Sequence, residues 1–299
     1  MKFRPLILLF LLVIRPYWVF NQTNTKDQYS SLFNKSKQKP VRLLMPEKQR
    51  LRNEPEIYAV VIGVGSNTYF PRLKYASSDA RAFASHLLSE KGGAVSRSHI
   101  KLLLDKDATF NNICDALDEL TRKADYNDMV ICYFSGHGTY DGFVTHNYNG
   151  LNNLLPHDLV LNSLEASDAK FKLAIVDACH SGGLQQGRYV QKGAKTATSS
   201  RLYQNYKVAS GGVALLLSSD RTETSMEDQY LRQGVFTYYL LEAMEGWGDG
   251  DGDGVIGIKE AFLYVRRQVV NRTDGQQSPQ LYGNYDEKLA LGVTGGVDY

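Results

Sequence analysis

The chain has 299 residues, with 34 basic against 32 acidic side chains and a hydrophobic content of 43%. That is the composition of an ordinary globular protein, and the near-neutral balance gives no reason to expect nucleic acid or an anionic membrane surface as partner. Three dispersed cysteines, Cys114, Cys132 and Cys179, do not form a disulfide framework. No CxxC or Cys/His cluster suggests zinc.

Lys2 and Arg4 precede an apolar run over residues 6–14, which Arg15 and Pro16 interrupt. The run is too short for a membrane-spanning helix, which needs about 20 residues. Residues 1–20 are expected to form a secretory signal and to make the protein secreted or periplasmic. An uncleaved membrane anchor and a mis-assigned start are the alternatives, and no A-x-A cleavage site is visible. Residues 21–54 are polar and lysine-rich, as in a linker or pro-segment. The folded domain, without a membrane span, is expected over 55–299.

Within that domain apolar strands and helices alternate. Residues 57–64 (IYAVVIGV) form a continuous β-branched run, expected of a strand buried on both faces. Residues 79–88 predict a helix and 99–104 a second strand. Thr109 is placed to cap a helix that puts Ile113, Leu117, Leu120 and Ala124 on one face. Residues 129–134, 171–176 and 213–217 predict further buried strands, 234–245 and 258–270 helices, and 288–291 a last short strand. The Gly-, Gln-, Ser- and Lys/Arg-rich stretch 184–210 is expected to be an exposed loop. The alternation predicts an α/β fold with a mostly parallel sheet and helices on both faces.

Two of the strands end abruptly in reactive residues, YFSGHG at 133–138 and DACHSGG at 177–183. Ligands of open α/β sheets bind beyond the carboxyl ends of the strands, so His137 and Cys179 are expected to emerge at one edge. A free thiol has a pKa near 8.5 and holds little thiolate at neutral pH. A neighbouring imidazole can take its proton and later return one to a leaving amine. The N–H groups of Gly138 and Cys179 could together stabilise an oxyanion. Cys114 and Cys132, in helix and strand contexts, are expected to be buried apolar residues. His180 competes with His137 for the base role, but its side chain is expected to point elsewhere.

In order and context these two segments resemble the caspase/metacaspase family of cysteine peptidases, in particular its metacaspase-like and bacterial branch. The similarity extends over most of residues 55–299, through KYASSDA (74–80), LLPHD (154–158), SSDRTETS (218–225), GVFTYYLLEAMEG (234–246) and QSPQLYG (277–283). The resemblance implies a caspase-like three-layer sandwich and peptide hydrolysis through a thioester acyl-enzyme, with no cofactor required for the chemistry. Metacaspase-like members cut after Arg or Lys, using acidic residues. The matching positions are Asp79 and Asp177, with Ser135 as a pocket-lining serine, and they imply protein or peptide substrates with Arg or Lys at the cleaved position. Ala76 and Ser78 stand where that pattern has Cys and Asn, and Asp79 also suits a helix N-cap. Two carboxylates in a cleft would pair with a guanidinium and exclude an acidic side chain. The family also implies cleavage within 184–210, which offers Arg188, Lys192, Lys195 and Arg201. A silent caspase-like interaction module or a calcium-responsive binding protein remains as the alternative.

Residues 249–260 (DGDGDGVIGIKE) fit the D-x-D-x-D-G-x₅-E calcium loop at every defining position. Asp249, Asp251, Asp253 and Glu260, with the Val255 carbonyl, are the candidate Ca²⁺ ligands. The alternative is an Asp/Gly-rich turn between helices.

Overall fold

The computed structural model of the chain describes residues 54–139, 141–178, 212–220, 223–287 and 289–294. Cys179, His180, the 184–210 loop and residues 1–53 lie outside the described residues.

Strand β1 (Ile57–Gly63) is buried at every position. Its side chains alternate between two faces, and helices cover both. Helix α1 (Ala76–Leu88) follows, then β2 (Ile100–Leu104), α2 (Phe110–Lys123), β3 (Met129–Ser135), β4 (Gly142–Val144), β5 (Leu154–Pro156), α3 (His157–Ala166) and β6 (Phe171–Asp177). Next come β7 (Gly212–Leu217), β8 (Glu227–Asp228), β9 (Gln233–Gly234), α4 (Val235–Glu242), β10 (Val255–Gly257), α5 (Ile258–Arg272), β11 (Gln280–Asn284) and β12 (Ala290–Val293). The central sheet runs β11-β7-β6-β3-β1-β2. All its pairings are parallel except β11 with β7.

Adjacent side chains of each strand serve opposite layers. Tyr133 stacks on Phe83 of α1, with ring centroids 4.5 Å apart, and Phe134 stacks on Phe143 of β4 at 4.6 Å. One face buries Ile57, Ala59, Val61, Tyr133, Leu173, Ile175 and Leu216 against α1, α4 and α5. The other face carries Val60, Val130, Cys132, Phe134 and Val176 and packs beneath α2 and α3. This is the three-layer α/β sandwich expected.

Several elements depart from the sequence reading. Helix α1 begins three residues early, at Ala76. The Thr109 cap is present, its Oγ1 accepting from the Asn112 N–H at 3.3 Å. The helix expected over 234–245 is α-helical only to Glu242. A π turn, Ala243–Trp247, ends it with Gly246 at φ +128°. The last strand lies at 290–293 rather than 288–291 and pairs with β10, outside the central sheet. Helix α3 and edge strand β11 were not expected. Both are short, and β11 carries Gly283 at φ +107°, which breaks the strand pattern.

Candidate active site

The parallel register aligns Gly63, Ser135 and Asp177 in one row at the carboxyl ends of β1, β3 and β6. Of the expected site residues, Ser135 and Asp177 lie in this row. Gly63 is obligatory there, because a Cβ would lie 2.8 Å from the Ala76 carbonyl oxygen. That close approach seats the first turn of α1, with Asp79, over the row's α1/α4 side.

His137 lies two residues beyond β3 and is half-buried. Its Nε2 is 2.6 Å from the Pro71 carbonyl oxygen. A carbonyl only accepts, so Nε2 carries a proton, and in the corresponding neutral tautomer Nδ1 is the acceptor. The Phe70 ring tilts over the imidazole at 5.1 Å. The β1–α1 loop that brings Phe70 and Pro71 is pinned at two points. Asn67 Nδ2 donates to the carbonyls of Thr145, His146 and Tyr148 at 3.0, 3.2 and 2.9 Å. Asp105 accepts from the Gly65 and Ser66 N–H groups and the Ser66 and Ser77 hydroxyls. Burial would raise the Asp105 pKa, but these hydrogen bonds outweigh it and hold the carboxyl below its usual range.

Gly138 forms an antiparallel bridge with Phe143. The flanking residues exchange the bonds: Val144 N–H to the His137 carbonyl at 2.9 Å, and Thr139 N–H to the Gly142 carbonyl at 2.8 Å. In such a pair the central residue's own N–H points away from its partner strand. The Gly138 N–H is therefore directed away from Phe143, as an oxyanion donor requires.

Asp79 and Asp177 do converge. Both are buried, and they flank Gly234, where a Cβ would sit 2.6 Å from Asp177 Oδ2 and 2.9 Å from Asp79 Oδ2. Asp79 Oδ2 accepts from the Gly234 N–H at 3.0 Å, while Oδ1 is buried with no partner among the described residues. Asp79 sits in the first turn of α1 and does not cap it. Asp177 accepts from Ser225 Oγ, from Thr237 Oγ1 at 2.6 Å and from the Thr237 N–H at 3.3 Å. Burial, then the Asp177 charge, pushes the Asp79 carboxyl up to about 8, against the Gly234 N–H and the Gln233 amide. The Gln233 effect is one of proximity, since neither its Nε2 nor Asp79 Oδ1 reaches hydrogen-bond geometry. Burial likewise raises Asp177, against the bonds from Ser225 and Thr237. Ser135 is buried in the row, between Gly63 and Asp177. Tyr133 completes the floor, its hydroxyl 2.7 Å from Thr237 Oγ1. Burial and then the charges of Asp79 and Asp177 raise its pKa well above the ordinary value.

Among the neighbours that went unread in the sequence are Pro71, Glu227, Ser225 and Thr237. Glu227 accepts from the Lys74 and Tyr75 N–H groups at 2.9 and 2.6 Å, and its charge reaches both aspartates. Pro71 acts through a backbone carbonyl, which no side-chain pattern announces. Ser225 and Thr237 lie in SSDRTETS and GVFTYYLLEAMEG, the segments that carried the resemblance, but nothing in their spacing assigned them a role.

The described cysteines are unsuited to be nucleophiles. Burial raises Cys132 to about 12, and burial with the neighbouring Asp115 charge raises Cys114 to about 12.

In the 249–260 loop, Gly252 and Gly254 take φ of +73° and +84°, and the chain coils so that Asp249, Asp251 and Asp253 each bring an oxygen within 4.8 Å of the others. Glu260 does not join them. Its Oε1 accepts from the Gly250 and Asp251 N–H groups at 3.2 and 3.3 Å, and its Oε2 from the Gly257 N–H at 3.0 Å. Val255 opens β10 at the loop's exit. Hard, clustered carboxylate oxygens suit Ca²⁺, and three of the four expected side-chain ligands are already grouped.

The mostly parallel six-stranded sheet with helices on both faces is consistent with a caspase fold. The chain belongs to the caspase domain family, Peptidase C14, whose match covers residues 56–290. That is a peptidase family, which implies protein substrates. Among solved structures, a crystal structure of a Geobacter sulfurreducens protein is similar in fold, with a TM-score of 0.50 and 17% identity, over 77% of this chain and 94% of that one. No curated protein matches. Among the described residues no helix is long and apolar enough to cross a membrane.

Proposed function

We propose that the chain is a cysteine endopeptidase of the metacaspase-like branch that cuts after Arg or Lys, with Cys179 as nucleophile and His137 as acid–base partner. The observation that carries this reading is the meeting of Asp79 and Asp177 at Gly234. Two buried carboxyls brought together in this way, both with raised pKa values, favour a cationic partner. A guanidinium or ammonium meets them with charge-assisted bonds, and an acidic side chain would be repelled. Ser135 lines the same pocket.

His137 Nδ1 takes the Cys179 thiol proton as sulfur attacks the carbonyl carbon. The oxyanion is met by the N–H groups of Gly138 and Cys179. Collapse breaks the C–N bond, and the proton on Nδ1 passes to the departing amine. Water then attacks the thioester, gives its proton to Nδ1 and releases the acid and the thiol. Pro71 holds the imidazole in the required tautomer throughout, in the manner of the orienting member of a triad.

The grouped aspartates support a second element, Ca²⁺ held by Asp249, Asp251 and Asp253, with Glu260 and the Val255 carbonyl drawn in on binding. Residues 1–20 are read as a secretory signal and 21–54 as a linker. The deciding experiment is hydrolysis of Arg, Lys and Asp reporter peptides by wild type and Cys179→Ala, with and without calcium. Turnover of Arg and Lys reporters that Cys179→Ala abolishes is expected. Equal turnover of Asp reporters would sink the basic specificity. Absence of any turnover would favour the interaction module.

A further inference from the structure

The two loops beside His137 build a surface that the chemistry above does not use. Phe70 covers the imidazole at 5.1 Å. Tyr148 lies against Phe70 with ring centroids 6.2 Å apart, and Tyr69 lies against Tyr148 at 6.3 Å. Phe70 and Tyr148 are half-buried, while Tyr69 is 60% exposed and Leu151 of the second loop 86% exposed. Exposed apolar side chains scattered singly need no explanation, but contiguous ones do.

The cluster is held rigidly. Asn67, two residues before Tyr69, clamps three carbonyls of the partner loop. His146 Nδ1 lies 2.9 Å from the Ser66 carbonyl oxygen. The Tyr69 ring is laid on Gly150, where a Cβ would come within 2.9 Å of it. The second loop is fixed in turn to the start of α2, through the Phe110 N–H and Asn147 Oδ1 at 2.9 Å. A surface that needs no ordering when a ligand arrives loses little entropy on binding.

Its position follows from the sheet. The acidic pocket lies on the α1/α4 face, the side to which Tyr133 and Ser135 project. The second loop of the aromatic surface is anchored to the start of α2, and His137 meets the first through Pro71 and Phe70. A residue whose basic side chain enters the pocket puts its scissile bond beside His137. The amine that His137 protonates belongs to the next residue, which therefore lies on the imidazole's side, where Phe70 is the covering group.

We propose that Phe70 and Tyr148, extended by Tyr69, form a subsite for the residue following the scissile bond, and that it selects aromatic or large aliphatic side chains there. The proposal rests on the peptidase reading and deepens it. Aromatic contacts and apolar burial supply the selection, and pocket contacts of this kind discriminate by about tenfold or more.

The test uses internally quenched peptides identical except for the residue after a single Arg, which is Phe, Leu, Gly, Lys or Asp. Wild type is expected to cleave the Phe and Leu peptides with kcat/KM about tenfold above the Gly peptide. Tyr148→Ala is expected to compress that ratio to within about threefold, while keeping the Arg-over-Asp preference before the bond and the pH profile. Phe70→Leu should shift preference from Phe towards Leu. A wild-type rate indifferent to this residue overturns the proposal, as does a Tyr148→Ala variant that slows all five peptides equally. Thermal melts of each variant verify that it is folded. If wild type cleaves none of the peptides, the peptidase reading fails and the subsite falls with it, which is a different result from a flat profile.

Discussion

Replacing Asp79 by Asn should make the protein more stable and less active at once. An acid whose pKa is raised on folding from 3.8 to about 8 binds its proton more tightly in the native state. The native state is then unpenalised below pH 4, loses about 1.4 kcal/mol for each pH unit above it, and reaches a constant deficit beyond pH 8. At pH 7 that interval of about three units corresponds to about 4 kcal/mol. Part of it is repulsion shared with Asp177 and belongs to the pair, so roughly 2–4 kcal/mol is expected from Asp79→Asn. For a domain of this size the melting temperature should rise by roughly 5–10 °C. Asparagine keeps an acceptor for the Gly234 N–H, so the substitution removes charge rather than shape. Melting curves of wild type and variant from pH 4 to 8.5 make the comparison, with turnover of an Arg reporter in parallel. The curves should coincide near pH 4, separate progressively and run parallel above about pH 8. Arg turnover should fall by at least about tenfold, as expected for a lost charge-assisted contact. A gap that does not vary with pH, or a less stable variant, would refute the argument that desolvation dominates this pocket.

Gly234→Ala would push a methyl group against both carboxylates. A loss of about 1–3 kcal/mol in denaturant titrations is expected, with a raised KM for Arg reporters. Calcium titrated calorimetrically into wild type should give a binding isotherm that Glu260→Gln weakens by about tenfold or more, since the twelfth position normally supplies a bidentate ligand. Identical titrations, or none, would reduce the loop to a turn. Purified wild type, but not Cys179→Ala, should be cut after Arg or Lys within 184–210, as read by mass spectrometry of fragment termini. The fragments should co-elute, because β6 and β7 are hydrogen-bonded neighbours on either side of that loop. Intact wild type that still hydrolyses reporters would exclude self-cleavage.

The layered sheet was legible because β1, β3 and β6 are buried on both faces and therefore read as unbroken apolar runs. Asp79 and Asp177 were legible only through resemblance; spacing alone left Asp79 as a plausible helix cap. The pocket's glycine, Gly234, and the acid at Glu227 were not legible, because each is brought in by tertiary packing from segments more than 100 residues away from α1. The Pro71 contact is a backbone property and leaves no side-chain signature. Glu260 matched the calcium-loop pattern by type and position, yet it satisfies the loop's own N–H groups, a competition that a pattern of residue types does not express.

Strand β3 feeds both layers from alternate residues, so its alignment with β1 and β6 decides which way each side chain faces. Sliding β3 by one residue would exchange Tyr133 for Phe134 beneath α1 and turn Ser135 out of the acidic pocket. His137, two residues on, would change sides with it. Hydrogen-bonded neighbours along its whole length on both sides prevent that slip. Mutations that loosen these pairings should therefore cost activity before they cost secondary structure, because the proposed chemistry depends on strand phase.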